Sequence, residues 1–358
     1  MVRAPDLWRS AKEKDHRGAA FVTAALMERH LLASSTSRKE SRDHAHPAPG
    51  TDPRPRPMLI HVLLAVDAQQ VIGCAVSMRS IMEYASPDCQ LRFHLMADGI
   101  GAADREALRA TVAGAGHDAA IQLYDVDVSR FTHLMRSKLV SHTTYARLLL
   151  DEVLPAEVER CIYVDCDMVV RRDIREAWTF PMGGTTVAAV ANGNAADTRH
   201  NQRRLGLAEP RYLNAGFVVI DVRRWRERGV AARAMAFAES AGDRLVLHDQ
   251  DALNVALEGD WTELPREWNA GLSISEWLTA DSRAVFHYWG APKPWHADYD
   301  GRFGDIFHRY LEMTAYAGYR AWNPFGIGAL LARLRRRLPY PPAVLRALRG
   351  YLRVTVAA

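Results

Sequence analysis

The chain has 358 residues, 48% hydrophobic and 25% charged, which gives enough apolar material for one large α/β domain plus extensions. Its formal charge of +4 is unevenly spread: residues 1–57 hold 11 Lys/Arg against 7 Asp/Glu, residues 326–358 hold 7 Arg and no acid, and the stretch between is therefore net acidic. That distribution excludes a nucleic-acid-binding core, which would carry a basic face, and no apolar run reaches the roughly 18 residues expected of a membrane span.

In chain order, residues 1–57 form a basic extension. Phe21–Met27 is short and follows a charged stretch, so it does not read as a signal peptide. Ser34–Pro57 is rich in Ser, Arg, His, Asp and Pro, too polar to build a core, and is expected to be disordered. At Met58 the pattern changes. Leu59–Val66 is an apolar run of strand length ending in Asp67, and Val71–Tyr84 has helical periodicity with Val71, Ala75, Met78 and Met82 on one face. Then come a strand over Leu91–Met96, a helix over Asp104–Val112, a strand over Ile121–Tyr124, a helix over Ser141–Leu150 with Ser141 as its cap, and a buried strand over Cys161–Val164. The second half adds strands over Thr186–Val190, Phe217–Asp221 and Ala284–Tyr288, a helix over Asp249–Leu257, and a polar loop or short helix over Asn192–Arg211. Strands alternating with helices predict a mostly parallel sheet covered on both faces, one domain over 58–325. Ligands of such sheets bind at the carboxyl ends of the strands, where Asp67, Asp98 and Asp165 fall. The four cysteines, Cys74, Cys89, Cys161 and Cys166, form no C-x-x-C pair or zinc-like cluster, and so few in a chain this long point to a reducing, cytoplasmic setting.

Four strings carry chemistry. In YVDCDMVV (Tyr163–Val170) two carboxylates, Asp165 and Asp167, follow an apolar strand at i and i+2; if the backbone turns there, both reach one hard cation such as Mg²⁺ or Mn²⁺. A solvated acid pair, or the D-x-D-x-V nucleophile motif of haloacid-dehalogenase-type phosphatases, is the alternative. That rival expects the motif near the start of its domain, and here several elements precede it. In FHYWGAPKPWH (Phe286–His296) His287 can be a third metal ligand, Gly290 lets backbone approach a ligand, and Lys293 supplies a point charge for phosphate. Within RYLNAGFVVIDV (Arg211–Val222), Asn214-Ala215-Gly216 reads as a turn before a strand, with an amide that can bond sugar hydroxyls. HDQDALN (His248–Asn254) opens a helix, where acids are favoured; that suffices for Asp251, while Asp249 and Gln250 can face a sugar.

Together these strings resemble glycosyltransferase family 8, retaining enzymes that include bacterial lipopolysaccharide galactosyl- and glucosyltransferases and glycogenin. The likeness spans about residues 59–325 and adds a helix, SHTTYARLLLDEVLP (Ser141–Pro155), like the one that carries the family's donor-contacting arginine, here Arg147. It implies a GT-A fold, a Rossmann-like, mostly parallel sheet with flanking helices. It also implies a UDP-glucose or UDP-galactose donor and a glycan or lipid-linked acceptor. It puts Asp165, Asp167 and His287 on Mn²⁺ (or Mg²⁺), with Cys166 between the two acids. It puts Ala65 and Asp67 at the nucleoside; Arg147, Asn214, Ala215, Asp249 and Gln250 at the sugar; and Gly290 and Lys293 at the diphosphate. Where the family often has a second acid and an Asn, this chain has Ala68 and Gln69, which leaves Gln69 as a candidate ribose contact. No Asp or Glu stands out as a nucleophile and Gln250 is a weak one, so front-face substitution is expected, with Asp249, Gln250 and Lys293 around the reacting centre. A non-catalytic nucleotide-sugar-binding protein is the other reading.

After Pro324 the chain turns Leu- and Arg-rich. Ile327, Leu330, Leu331, Leu334 and Leu338 follow a helical stripe, and Val344, Leu348 and Leu352 repeat it among Arg346, Arg349 and Arg353. This suits interfacial helices on anionic lipid, which would make the protein peripheral at the inner face of the membrane. Helices packed on the domain with solvated arginines are the alternative.

Overall fold

Strand β1 (Met58–Asp67) is buried over most of its length, and its side chains serve two cores in alternation. Ile60, Val62, Leu64 and Val66 pack on one side while Leu63 and Ala65 pack on the other, the period of two that a strand imposes. β1 is thus the centre of a sheet covered on both faces. The computed structural model describes residues 57–134, 141–193, 195–272 and 274–321. The expected disorder of the N-terminal extension up to residue 56, and the basic segment 326–358, fall outside the described residues.

Around β1 run β2 (Cys89–Asp98), β3 (Ala119–Asp125), β4 (Arg160–Val164), β6 (Val187–Ala191), β7 (Leu213–Asp221) and β8 (Trp261–Glu263), in the spatial order β3-β2-β1-β4-β7-β6-β8. Every neighbouring pair is parallel except those made by β7, which runs against the rest. A second sheet holds β5 (Met168–Val170), β10 (Val285–His287) and β9 (Ala270–Gly271) in that order. One layer of helices includes α1 (Val71–Tyr84) and α9 (Gly304–Leu311), which pack with the second sheet in the first core. The other includes α7 (Val230–Ser240) and α8 (His248–Ala256) in the second core. The remaining α-helices are α2 (Ala102–Ala113), α3 (Leu150–Val153), α4 (Ile174–Trp178), α5 (Ala195–Leu205) and α6 (Val222–Glu227). Among the described residues no helix is long and apolar enough to cross a membrane.

One sequence expectation is sharpened and another corrected. The arginine segment is helical and capped by Ser141 through Thr143 N, as expected, but His142–Leu149 winds as a 3₁₀ helix that passes into α3 at Leu150. Asn214-Ala215-Gly216 is not a turn before a strand but lies inside β7. Its neighbour β6 shifts register there, between Ala189 and Ala191. Leu213 and Ala215 pack in the second core while Phe217 and Val219 pack in the first, so the strand's alternation slips by one residue at Gly216. Bulges of this kind re-aim side chains beside active sites.

On the flank of the sheet away from β7, three adjacent strands share a polar ladder. His61 Nδ1 lies 2.9 Å from His94 Nε2, and His94 Nδ1 lies 2.9 Å from the Tyr124 hydroxyl. Burial, then the neighbouring His61 and Arg92, hold His94 down to about 4 from 6.5. The neutral ring therefore stabilises the fold fully above pH 6.5, and that contribution is lost as the pH falls toward 4. The difference is worth about 3 kcal/mol. Urea unfolding at pH 7 and pH 4.5 is expected to show this loss in the wild type and a smaller one in His94→Gln.

Candidate active site

The site forms where β4, β7 and β10 end or bulge. β4 delivers Asp165 and the chain turns back at once into β5, so Asp167 sits one residue before a strand that pairs with β10. That antiparallel pairing sets His287 opposite Met168, and Tyr288 N bonds Asp167 O at 2.9 Å. Two acids and a histidine far apart in sequence thus converge: one ligand atom from each of Asp165, Asp167 and His287 lies within 4.8 Å of the others. His287 Nε2 is 3.2 Å from Asp167 Oδ1 and 3.9 Å from Asp165 Oδ2. Two carboxylates and an imidazole fit a small divalent cation.

The turn between the acids is held from below. Ser77 on α1 donates to Cys166 O at 3.1 Å and Met168 O at 2.7 Å, and Cys166 Sγ reaches Ala65 O at 3.1 Å. Gly73 permits this approach, since a Cβ there would lie 2.5 Å from Cys166 O. Gly216 is required in the same way. A Cβ at Gly216 would meet His287 Cε1 at 2.6 Å, Met168 Cε at 2.7 Å and Asp165 Oδ2 at 2.9 Å.

Opposite charges frame the acids. Lys293 Nζ is 2.5 Å from Asp167 Oδ2 and 3.0 Å from Tyr288 O. Arg147, buried, donates to Asp165 Oδ1 at 2.7 Å and to Ala215 O, lies 2.8 Å from Asp249 Oδ2, and stacks 4.3 Å over the Tyr163 ring. Burial pushes Asp167 up, but the Lys293 ammonium, with the adjacent His287 ring, more than offsets it and holds the carboxyl well below its ordinary value. For Asp165 and Asp249 burial wins over Arg147, and both are raised.

The remaining expected residues fall around this centre. Asp67 ends β1, accepting from Gln69 N at 2.9 Å and from Thr143 Oγ1 at 3.1 Å; Thr143 also lies 3.4 Å from Asp98 Oδ2. Gln69 is exposed, and its carbonyl accepts from Trp295 Nε1 at 3.0 Å. Asp249 accepts from Thr144 at 2.5 Å. Gln250 accepts from Ala215 N at 3.1 Å and donates to the Tyr212 hydroxyl at 3.3 Å. Gly290 has φ +78° and open space around its Cα, so backbone conformation, not crowding, calls for glycine. Asp251 does more than start a helix: fully buried, it pairs with Arg204 of α5 at 2.7 Å and accepts from Tyr212 at 2.6 Å, which ties α5 to α8. Asn214 is engaged by protein on both amide atoms: its oxygen accepts from Gly216 N at 2.9 Å and Asn269 Nδ2 at 2.7 Å, and its nitrogen donates to Asn192 Oδ1 at 2.8 Å. Sequence reasoning missed Asn192 and Asn269, whose strings have no recognisable spacing to the other motifs.

A model of glycosyl transferase family 8 matches residues 61–299. General stress protein A of Bacillus subtilis is 27% identical over 293 residues, covering 76% of this chain and 98% of that protein. The lipopolysaccharide 1,3-galactosyltransferase of Salmonella typhimurium is 26% identical over 250 residues, covering 66% of this chain and 73% of its own length. Among solved structures, the galactosyltransferase LgtC in complex with donor and acceptor sugar analogues superposes with a TM-score of 0.63 at 26% identity, over 71% of this chain and 96% of that one. The phosphatase reading of D-x-D-x-V finds no support in this set. Fold, converging acids and family model agree, and the chain belongs to glycosyl transferase family 8.

Proposed function

We propose that this protein is a retaining hexosyltransferase, moving glucose or galactose from a UDP-sugar to a glycan or lipid-linked acceptor with Mn²⁺ or Mg²⁺ held by Asp165, Asp167 and His287. The observation that carries the reading is the convergence of those three ligand atoms within 4.8 Å beside the amine of Lys293. A divalent cation there supplies Lewis-acid stabilisation of the charge that grows on a departing diphosphate. The chain's own groups do the rest. Lys293 adds a fixed positive charge at the same edge. Gly290, free of a Cβ and at φ +78°, gives a phosphate close access to backbone. Thr143, bonded to Asp67, lines the nucleoside end. Arg147 and Thr144 fix Asp249 for the sugar.

Transfer passes through an oxocarbenium-like state. Gln250 is a poor nucleophile, and its oxygen already accepts from Ala215 N. Front-face substitution follows, with the acceptor proton leaving to a phosphate oxygen of the donor. On charge alone, the Arg-rich segment 326–358 adds an anionic membrane surface as a further partner. The deciding assay is UDP release from a panel of UDP-sugars with and without Mn²⁺. Metal-dependent hydrolysis of UDP-glucose or UDP-galactose is expected. Phosphate release from phosphomonoesters would sink the reading, and donor binding without turnover would favour a non-catalytic binding protein.

A further inference from the structure

We infer that Asn269 is a positioning residue that fixes the tautomer of His287, aiming the Nε2 lone pair between Asp165 and Asp167; this rests on the metal reading proposed above. The bonds leading to His287 can be read in one direction only. The backbone N–H of Gly216 is a donor and nothing else, so the Asn214 atom it meets at 2.9 Å is the side-chain oxygen. The same oxygen lies 2.7 Å from Asn269, which must therefore present its amide nitrogen there. Asn269 is left to offer its oxygen to His287 Nδ1 at 2.8 Å. An amide oxygen only accepts, so Nδ1 carries the hydrogen. In a neutral imidazole the lone pair then belongs to Nε2, which faces Asp167 Oδ1 at 3.2 Å and Asp165 Oδ2 at 3.9 Å. A lone pair pointed at two carboxylates is repulsive unless a cation lies among them, so this tautomer prepares a ligand.

The relay has an anchored far end. Asn214 Nδ2 donates to Asn192 Oδ1 at 2.8 Å, and Asn192 N donates to Tyr212 O at 2.8 Å. Its members come from the ends of β6 and β9, the bulge of β7 and β10, so it also joins the two sheets at the site. Asn269, Asn214 and His287 are 7%, 6% and 4% exposed, which leaves little room for water to replace a lost partner.

Two measurements test this. Paramagnetic resonance titration of Mn²⁺ gives affinities for the wild type, Asn269→Ala and Asn269→Asp. Asn269→Ala is expected to bind about 10- to 100-fold more weakly, the usual cost of losing a histidine's orienting partner. Asn269→Asp, whose carboxylate still accepts from Nδ1 but has no donor for the Asn214 oxygen, should recover part of that loss. Nitrogen–proton correlation spectra of histidine-labelled, metal-free protein, with His287→Ala identifying the resonance, should show the Nδ1–H form in the wild type and its loss in Asn269→Ala. The wild-type spectrum decides even if a variant folds badly: a ring with its hydrogen on Nε2 and none on Nδ1 overturns the inference, as does unchanged Mn²⁺ affinity in folded Asn269→Ala. A wild type that binds no Mn²⁺ yet shows the Nδ1–H form would overturn the metal reading instead, and leave the orienting bond standing.

Discussion

Asp167→Ala is expected to lose at least about a thousandfold in Mn²⁺-dependent UDP release, because a metal's several kcal/mol of charge stabilisation converts at about 1.4 kcal/mol per tenfold. Asp167 is the acid nearest both His287 and Lys293, at 3.2 Å and 2.5 Å. Its removal takes one carboxylate from the cluster and leaves the Lys293 amine without its Asp167 partner. The fold should survive, because Cys166 and Met168 remain bonded to Ser77 through their carbonyls. Thermal unfolding separates the two effects. Mn²⁺ at about a hundred times its Kd stabilises a folded binder by about 2.7 kcal/mol, and the variant should show no such shift. Wild-type turnover in Asp167→Ala would remove this acid from the mechanism.

Arg147→Met is expected to damage stability more than any change at the metal ligands. Its guanidinium stands between two carboxylates, 2.7 Å from Asp165 and 2.8 Å from Asp249, and its own side chain is 8% exposed. Removing one partner of a buried ion pair costs about 3–5 kcal/mol because an uncompensated charge remains. Burial already raises both acids, and without Arg147 both rise further. A carboxyl raised in the folded state destabilises as the pH climbs from its unfolded value through its folded one. The stability gap between variant and wild type should therefore narrow on acidification from pH 7 toward pH 5, whatever other groups, His94 among them, contribute to both. Urea midpoints at the two pH values measure this. Arg147→Lys should restore part of the loss, since a single ammonium cannot reproduce the guanidinium fork. An Arg147→Met midpoint within error of the wild type at pH 7 would contradict the pairing.

Much of this arrangement was legible in the sequence. The apolar runs of β1, β2 and β4 are buried on both faces, so they announce themselves by composition, and the acids at their ends follow from the parallel layout. His287 and Lys293 could be proposed as partners of Asp165 and Asp167 because a histidine, a glycine and a lysine set among prolines and tryptophans suit a metal and a phosphate, and because the string resembles that of family 8. Other parts were hidden for physical reasons. β5 and β9 have three and two residues, too few for any periodicity, and exist because β10 pairs with them. Asn-Ala-Gly has good turn chemistry, yet tertiary pairing with β4 and β6 carries it into β7. The 3₁₀ winding of His142–Leu149 leaves no mark in the order of apolar residues. Asn269 acts through one hydrogen bond to a histidine on another strand, and sequence carries no sign of that.

The pairing of β5 with β10 also bears on the order in which the protein can be built. Asp167 and His287 are roughly 120 residues apart, so at synthesis rates of about 5–20 residues per second the acids leave the ribosome roughly 6–24 s before their histidine. During that interval Met168–Val170 has no strand to pair with and the acid pair lacks both His287 and Lys293. The Rossmann-like first half, β1 to β4 with α1 behind it, can form early, with Ser77 and Ser80 holding the turn and β5 through Met168 O and Val170 N. A nascent chain halted before β10 would carry Asp165 and Asp167 without His287 or Lys293, so these four side chains can meet only late in biogenesis.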